Sequence, residues 1–409
     1  MAGRILLIKW ASFGNLFVSE AFRYLGYEVE EFPFDHRSID TRRDVQVTET
    51  IVYAVLGKGY DFVFSFNFFP IVAMACKACG CPYVSWTYDS PFVQLFSQTA
   101  RYDTNYIFVF DHGTCVDLER KGIRCFYLPM AAPMDCYRSV LDQARGSGYE
   151  TSKTKGEGGS LEKQKYGGDV AFVGSLYDEI SGNLLNYLDK LSGEEKGYVE
   201  ALIQAQKKVY GYHFVEEILV ENPERVKAIL EVCPAYPQGD GLESAEWILA
   251  NCFINRKVTV LERKEILQML GAEHSVHLFT TSTTDIPGVT RHRNVDYHIE
   301  APFVYANSKI NLNITLRSIQ TGIPLRAFDI MACGGFLLSN YQEDFLEYFE
   351  PDKDFVFYQD YGDLMEKVDF YLQHDAERRS IAESGHRKVQ AEHTYLQRAE
   401  RIVEILKKE

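Results

Sequence analysis

The sequence lacks long hydrophobic runs, an excess of positive charge and any regular cysteine spacing. No apolar stretch approaches the roughly 20 residues of a membrane-spanning helix, and the apolar run in the opening "MAGRILLIKW" is too short for the core of a signal peptide. We therefore expect a cytoplasmic protein without a membrane span. The formal charge of −15 makes nonspecific binding to nucleic acid or anionic lipid unexpected.

The nine cysteines are scattered, and an odd count is atypical of a secreted disulfide scaffold, so we expect reduced thiols. The compact group "CKACGC" (Cys76, Cys79 and Cys81) superficially resembles a metal knuckle. No second cysteine or histidine pair follows at zinc-site spacing, and Pro82 begins an apolar strand. The pattern therefore favours buried thiols at a helix end, and no metal site is predicted.

What the sequence does contain is an alternation of short apolar runs with helix-like segments. The 409 residues exceed one ordinary core, and 46% hydrophobic with 25% charged residues is typical of a globular protein. Apolar runs occur at 4–10, 61–66, 82–86, 106–110 and 125–129, and a second series at 169–179, 275–280, 309–315, 334–340 and 354–358. Short strands buried on both faces predict an α/β fold with two doubly wound parallel sheets.

A polar, Gly/Ser-rich stretch at 144–168 separates the two series and is interpreted as a linker or a surface loop. We therefore expect a first Rossmann-like domain over 1–165 and a second over 166–394. The pattern from about 182 to 250 is helical and is interpreted as an elaboration of the second domain. The last helix, at 395–409, is expected to pack back on the first domain.

Two successive domains of this kind leave a cleft, and ligands bind at the carboxyl ends of the strands. "FVGSLYDE" places Gly174 and Ser175 between a buried strand and a helix. Glycine permits close approach of a ligand, and a helix amino terminus favours an anion. An ordinary strand-to-helix turn explains the same residues equally well.

The segment "KINLNITLRSIQTGIPLR" concentrates Lys309, Arg317 and Arg326 in an otherwise acidic chain. Thr321 supplies a hydroxyl group, and Gly322 sets a turn before a helix. Arginines near a helix amino terminus are suited to a diphosphate. The alternative is a solvated basic rim.

One turn into that helix, Asp329 is placed to accept hydrogen bonds from two ribose hydroxyls, or else to cap the helix. The small residues "ACGG" that follow, at 332–335, allow the helix to lie close to the sheet.

Two strand ends in the first domain offer a general base for an acceptor hydroxyl. Asp89 in "WTYDSPF" follows one strand directly, although an Asx turn before Ser90 explains it as well. His112 in "FDHG" follows the next strand and is the second candidate, with Asp111 interpreted as a helix N-cap.

The segments "TGIPLRAFDIMACGGFLLSNYQEDFLEYFE", "DFVFY" and "HTYLQR" resemble the C-terminal domain of CgeB-like (spore-maturation-type) glycosyltransferases. "WTYDSPF", "FVFDHG" and "YLPMA" are similar to the N-terminal domain found with it. The resemblance covers most of the chain except 144–168 and the helical section.

This resemblance implies the GT-B fold, with a nucleotide-sugar held mainly by the second domain. In the wider family-four-like enzymes a Glu-x7-Glu pattern occupies this helix. Asp329 matches the second position, which holds the ribose. Thr321 stands at the first, where the carboxylate is missing, so whether configuration is retained or inverted stays open. Lys309, Arg317 and Arg326 are expected at the diphosphate.

The expected activity is metal-independent transfer of a hexosyl or N-acetylhexosaminyl group, from a UDP-sugar to a hydroxyl on a surface protein such as flagellin or on a polysaccharide. The sequence contains no Asp-x-Asp motif after a strand, in agreement with metal independence. Two alternatives remain: a sugar-nucleotide epimerase of the same fold, and a non-catalytic nucleotide-sugar-binding or scaffold protein in surface-glycan or spore-coat assembly.

Overall fold

The first domain is built on a parallel sheet whose strands are short and almost completely buried. The computed structural model describes residues 3–147, 166–178 and 184–408, so most of the predicted linker, the start of the helical section and residue 409 lie outside it. The sheet has the order β2-β1-β3-β4-β5-β6 and consists of β1 (Gly3–Lys9), β2 (Tyr27–Pro33), β3 (Phe62–Phe66), β4 (Tyr83–Thr87), β5 (Asn105–Val109) and β6 (Cys125–Tyr127).

Helices cover both faces of this sheet and follow local start and stop signals. Pro70 stands at the first turn of its helix, and Gly80 ends that helix with φ of 65°. Asp44 caps the preceding helix by accepting a hydrogen bond from Val47 N at 3.0 Å. The helices are α1 (Asn15–Tyr24), α2 (Val45–Val55), α3 (Pro70–Cys79), α4 (His112–Arg120) and α5 (Met134–Ser147), with 3₁₀ turns at Val93–Phe96 and Gln98–Arg101.

The second sheet is also parallel in every described pairing and has the order β12-β11-β10-β7-β8-β9. Its strands are β7 (Val170–Val173), β8 (Val276–Phe279), β9 (Val289–His292), β10 (Ile310–Asn313), β11 (Leu337–Asn340) and β12 (Val356–Tyr358). Strand β9 was not predicted from the sequence. This edge strand has no fully buried residue, so its sequence "VTRH" carries no apolar pattern.

Most of the long helices after residue 254 flank this sheet, and the apolar core continues across the two domains. Val170 and Phe172 pack on one face, whereas Ala171 joins the core shared with the first domain. The helices after residue 254 are α11 (Asn255–Gly271), α12 (Ala301–Asn307), α13 (Leu325–Ala332), α14 (Phe345–Tyr348), α15 (Tyr361–Gln373), α16 (Asp375–Glu392) and α17 (Tyr395–Lys408).

The helical section, defined here as residues 184–254, lies between β7 and β8 of the second sheet in sequence and contacts the first domain. Trp247 packs on Phe96 with ring centroids 4.4 Å apart, and Leu242 N donates to Phe96 O at 2.6 Å. Its helices are α6 (Leu185–Leu188), α7 (Gly193–Lys207), α8 (Val215–Val220), α9 (Pro223–Leu230) and α10 (Ala245–Ile248), followed by the π-helix Leu249–Ile254.

The last helix, α17, leaves the second domain and packs against α1 of the first. Tyr395 lies 5.3 Å from Phe17, measured between ring centroids. Arg398 is buried and donates to Pro129 O at 2.8 Å and to Met130 O at 3.1 Å. The last helix thus joins the two domains, as the helical section also does.

Candidate functional site

At the carboxyl ends of β7 and β10, the guanidinium of Arg326 lies close to the backbone of Gly174. Arg326, in the first turn of α13, is partly exposed; it donates to Asn313 Oδ1 at 3.1 Å and lies 4.7 Å from the centroid of Phe172. Gly174 has φ of 155°, and a Cβ at this position would lie 2.4 Å from an Arg326 guanidinium nitrogen. Gly174 therefore permits both this backbone conformation and the close approach of the Arg326 guanidinium.

A second guanidinium, that of Arg263 on α11, lies on the same aromatic ring. It is 5.1 Å from the Phe172 centroid and donates to Ile314 O at 3.1 Å and Ser175 O at 2.6 Å. Burial and the neighbouring Arg326 lower the pKa of Arg263 to about 10. Within residues 3–147, 166–178 and 184–408, neither arginine forms an ion pair with a carboxylate. These strand ends are therefore electropositive.

Arg263 was not singled out from the sequence, because it stands inside a charged helical run, "ERK", that looks like a solvated surface. Ser175, which was singled out, lies at this strand end beside it. Its hydroxyl oxygen accepts a hydrogen bond from Tyr177 N at 2.7 Å, which closes the turn after β7. Gly174, Ser175 and Arg326 are thus brought together as expected.

The turn at 320–322 contacts the first domain instead of an open cleft. The carboxylate of Asp111 accepts hydrogen bonds from the backbone N–H groups of Gln320 at 2.9 Å, Thr321 at 2.9 Å and Gly322 at 3.1 Å. Asp111 makes no side-chain N-cap bond to α4. The turn of Thr321 and Gly322, expected from the sequence to lie at a diphosphate, is therefore corrected: its N–H groups are occupied by a carboxylate of this chain.

Asp329 is buried, and two tyrosine hydroxyls donate to its carboxylate. Tyr137 Oη lies 2.9 Å from Oδ1, and Tyr297 Oη lies 2.8 Å from Oδ1 and 2.9 Å from Oδ2. Burial raises the pKa of Asp329 to about 7, although the hydrogen bonds from both tyrosines oppose the rise. The expectation of an open ribose ligand is corrected here, because the tyrosines occupy the positions that ribose hydroxyls would take.

Two of the predicted diphosphate ligands are directed elsewhere. Lys309 precedes β10, so it lies at the amino end of the sheet, where it pairs with Asp169 at 2.8 Å. Arg317 is 3% exposed and pairs with the buried Glu262 at 2.7 Å. Its guanidinium also donates to Val209 O at 3.0 Å. Both residues are removed from the candidate site, one by sheet direction and the other by a buried ion pair.

Asp89 lies at the carboxyl end of β4 with solvent access, although protein surrounds much of it. Asn67 Nδ2 donates to Asp89 Oδ2 at 2.6 Å. Desolvation raises the pKa of Asp89, and the bond from Asn67 with the nearby His36 partly opposes that rise. An accessible carboxylate with a raised pKa is suited to taking a proton from a hydroxyl.

His112 does not join Asp89. Its backbone N donates to Asp344 Oδ2 at 3.2 Å, and its exposed ring stacks on Tyr127 with centroids 5.2 Å apart. Tyr127 belongs to the edge strand β6, whereas the partner of Asp89, Asn67, follows β3 on the other side. The two base candidates are thus placed on opposite sides of Asp111.

The remaining expectations concern thiols, metals and membranes. All nine cysteines are free thiols, and burial raises the pKa of Cys76 and Cys81. Among the described residues, the one His/Cys/Asp/Glu group with metal-ligand spacing is Glu273, His274 and Asp369. It lies before β8, at the amino end of the sheet. None of the helices in the described ranges combines the length and apolar character that a membrane crossing requires.

Two Rossmann-like domains with facing strand ends define the GT-B class, and comparison with solved structures confirms this fold. The structure of Anabaena HepE in complex with UDP and glucose is similar over 100% of both chains, with a TM-score of 0.53 and 12% identity. A UDP-forming α,α-trehalose-phosphate synthase from Burkholderia xenovorans matches over 100% of this chain and 99% of that one, with a TM-score of 0.55 and 11% identity.

Sucrose-phosphate synthase from Thermosynechococcus elongatus is similar over 99% of this chain and 98% of that one, with a TM-score of 0.50 and 14% identity. Residues 261–404, about a third of the chain, match the model of a family described as glycosyl transferase-like. No curated protein matches the sequence. The comparisons thus show the GT-B fold over the whole chain and a glycosyl transferase-like segment over residues 261–404.

Proposed function

We propose that the protein is a CgeB-like glycosyltransferase that moves a sugar from a UDP-sugar to a hydroxyl acceptor without a metal ion. The observation that carries the proposal is the partly exposed guanidinium of Arg326 over Gly174, with the guanidinium of Arg263 against the same Phe172 ring. Two guanidinium groups that form no ion pair with a carboxylate among the described residues, placed at the carboxyl ends of parallel strands, favour a bound anion. The glycosyl transferase-like match includes both arginines.

The proposed reaction breaks the bond between the sugar and the diphosphate and forms a bond to the acceptor oxygen. Negative charge grows on the departing diphosphate, and Arg326 with the amino terminus of α13 stabilises it. Asp89 takes the proton from the acceptor hydroxyl. UDP then leaves with the electron pair of the broken bond, so no oxidant or further reactant is needed.

UDP is the proposed nucleotide because the HepE structure holds UDP. A hexosyl or N-acetylhexosaminyl group is the proposed cargo, and a surface protein such as flagellin or a polysaccharide is the proposed acceptor. Metal independence is proposed because guanidinium groups supply the positive charge at the strand ends that a divalent cation would otherwise provide.

The test is a calorimetric titration of the protein against UDP, GDP, ADP and UDP-sugars, with and without EDTA. We expect one diphosphate family to bind, with an affinity that EDTA leaves unchanged, and the UDP-sugar to be consumed when an acceptor is present. Absence of binding to every nucleotide would exclude the proposed function. If EDTA abolished nucleotide binding, a metal ion would be required and the metal-independent mechanism would be excluded.

One observation keeps a non-catalytic binding protein as the second candidate. Position 321 carries no carboxylate, and the turn around Thr321 is occupied by Asp111. A protein of this kind binds UDP-sugar without releasing UDP, whatever acceptor is offered. A sugar-nucleotide epimerase is separated from both, because it converts the UDP-sugar and releases no free UDP.

A further inference from the structure

The carboxylate of Asp111 is almost inaccessible to solvent and accepts hydrogen bonds from both domains. Besides the three backbone N–H groups of residues 320–322, it accepts from Thr321 Oγ1 at 3.2 Å and from Thr114 Oγ1 at 2.8 Å. Asp111 is 1% exposed. Five donors around one buried carboxylate form a complete anion-binding arrangement in which the anion belongs to the chain itself.

The two backbones also touch at this point, so the position of the turn is closely defined. A Cβ on Gly322 would lie 2.8 Å from Asp111 Cα, and a Cβ on Gly113 would lie 2.6 Å from Gln320 Cβ. Gly113 N donates to Thr321 Oγ1 at 2.9 Å. Neither backbone segment can shift toward the other, and the hydrogen bonds between them oppose any shift away.

The same turn leads directly into the helix that carries Arg326. Gly322 is separated from the start of α13 by two residues, Ile323 and Pro324. The turn has a second set of contacts within its own domain, since Gln342 Nε2 donates to Gly322 O at 3.1 Å. The amino end of α13 is thus held between its own domain and Asp111 of the other one.

We infer that Asp111 is a positioning residue, through which the first domain sets the turn at 320–322 and hence the place of Arg326 at the donor diphosphate. The inference rests on the proposed function, because it assigns the donor to Arg326. It makes the geometry of the donor site dependent on a residue of the acceptor domain. Separation of the domains at this contact would then weaken donor binding.

The test compares D111N with T114V. Asparagine keeps the volume of the side chain, but one of its oxygens becomes an NH₂ group facing backbone N–H donors. T114V removes a donor to the same carboxylate without touching the turn, so it is the matched control. Hydrogen exchange of peptides covering 318–328 and the calorimetric affinity for UDP are measured for the wild type and both variants.

We expect D111N to accelerate exchange at 320–322 and to raise the Kd for UDP, each by about tenfold. T114V should change either by less than about twofold. In an R326A background the D111N substitution should leave the Kd unchanged, because its effect passes through that guanidinium. A merely structural role would destabilise the fold but would not produce this dependence on Arg326.

Unchanged UDP affinity in D111N would overturn the inference, as would an equal loss of affinity in the R326A background. Tighter UDP binding by D111N would also overturn the inference, because it would mean that the Asp111 carboxylate blocks a phosphate site. If D111N does not fold, T321V weakens the same contact and serves in its place. A wild type that binds no nucleoside diphosphate would instead refute the proposed function itself, which the wild-type titration alone reveals.

Discussion

The guanidinium of Arg42 lies 2.8 Å from the carboxylate of Asp240 and 3.6 Å from that of Glu243. Arg42 belongs to a loop of the first domain, and both carboxylates belong to the helical section. The side chains of Arg42 and Glu243 are 7% and 0% exposed, so this is a buried ion pair. The helical section, interpreted from the sequence as an elaboration of the second domain, therefore also joins the two domains.

Replacement of Arg42 by alanine leaves Glu243 buried without its cation. Because an unpaired buried charge is strongly unfavourable, we expect R42A to lower the free energy of unfolding by about 3 kcal/mol. Urea denaturation followed by circular dichroism measures the loss. R291A is the control, since the Arg291 pair with Asp285 is largely exposed and should contribute less than about 1 kcal/mol. Equal effects of the two variants would contradict a stabilising role for the buried ion pair of Arg42.

The donor site is tested most directly by R326A. Loss of a charge-assisted contact to phosphate should weaken UDP binding by about 1.5 to 3 kcal/mol, roughly 10- to 150-fold in Kd. Calorimetry measures the affinity. R387A removes an arginine that is 68% exposed on α16 and should leave the affinity unchanged. An R326A protein that binds UDP as the wild type does would remove this residue from the site.

The proposed base is tested by D89N. We expect UDP affinity to be retained and the transfer rate to fall by about 10²- to 10⁴-fold, because the acceptor proton loses its recipient. The raised pKa of Asp89 adds a pH signature. Only the ionised carboxylate accepts a proton, so the wild-type rate should increase as pH rises through that pKa. If D89N kept both UDP binding and transfer, Asp89 would be excluded as the base and His112 would become the better candidate.

The buried carboxylate of Asp329 predicts a pH-dependent stability. Its pKa is raised to about 7, so the folded state binds a proton more tightly than the unfolded chain does. The resulting stabilisation is complete below about pH 4 and is lost as pH rises to about 7, by up to about 4 kcal/mol. Asparagine does not titrate, so D329N should gain stability relative to the wild type across this window. The prediction would be contradicted if the denaturation midpoints of the wild type and of D329N differed by the same amount at every pH.

The sequence by itself determined the two parallel sheets and the place of Gly174, Ser175 and Arg326. Strands buried on both faces, such as "FVFSF" in β3, are continuous apolar runs that local pattern reveals. Residues that directly follow such a strand, or that begin the next helix, lie at its carboxyl end whatever the tertiary packing. The exposed edge strand β9 has no such run and was missed.

Tertiary structure alone decided which charged groups remain available to a ligand. Arg317 and Arg326 are both basic residues near one turn, but a distant residue, Glu262, neutralises the first and leaves the second free of an ion pair among the described residues. Asp111 has the local pattern of an N-cap, yet its hydrogen bonds run to residues some 210 positions away. Ion pairs and hydrogen bonds depend on which residues lie close in space. The partner of Arg317 and the partners of Asp111 are distant in sequence, so local sequence does not identify them.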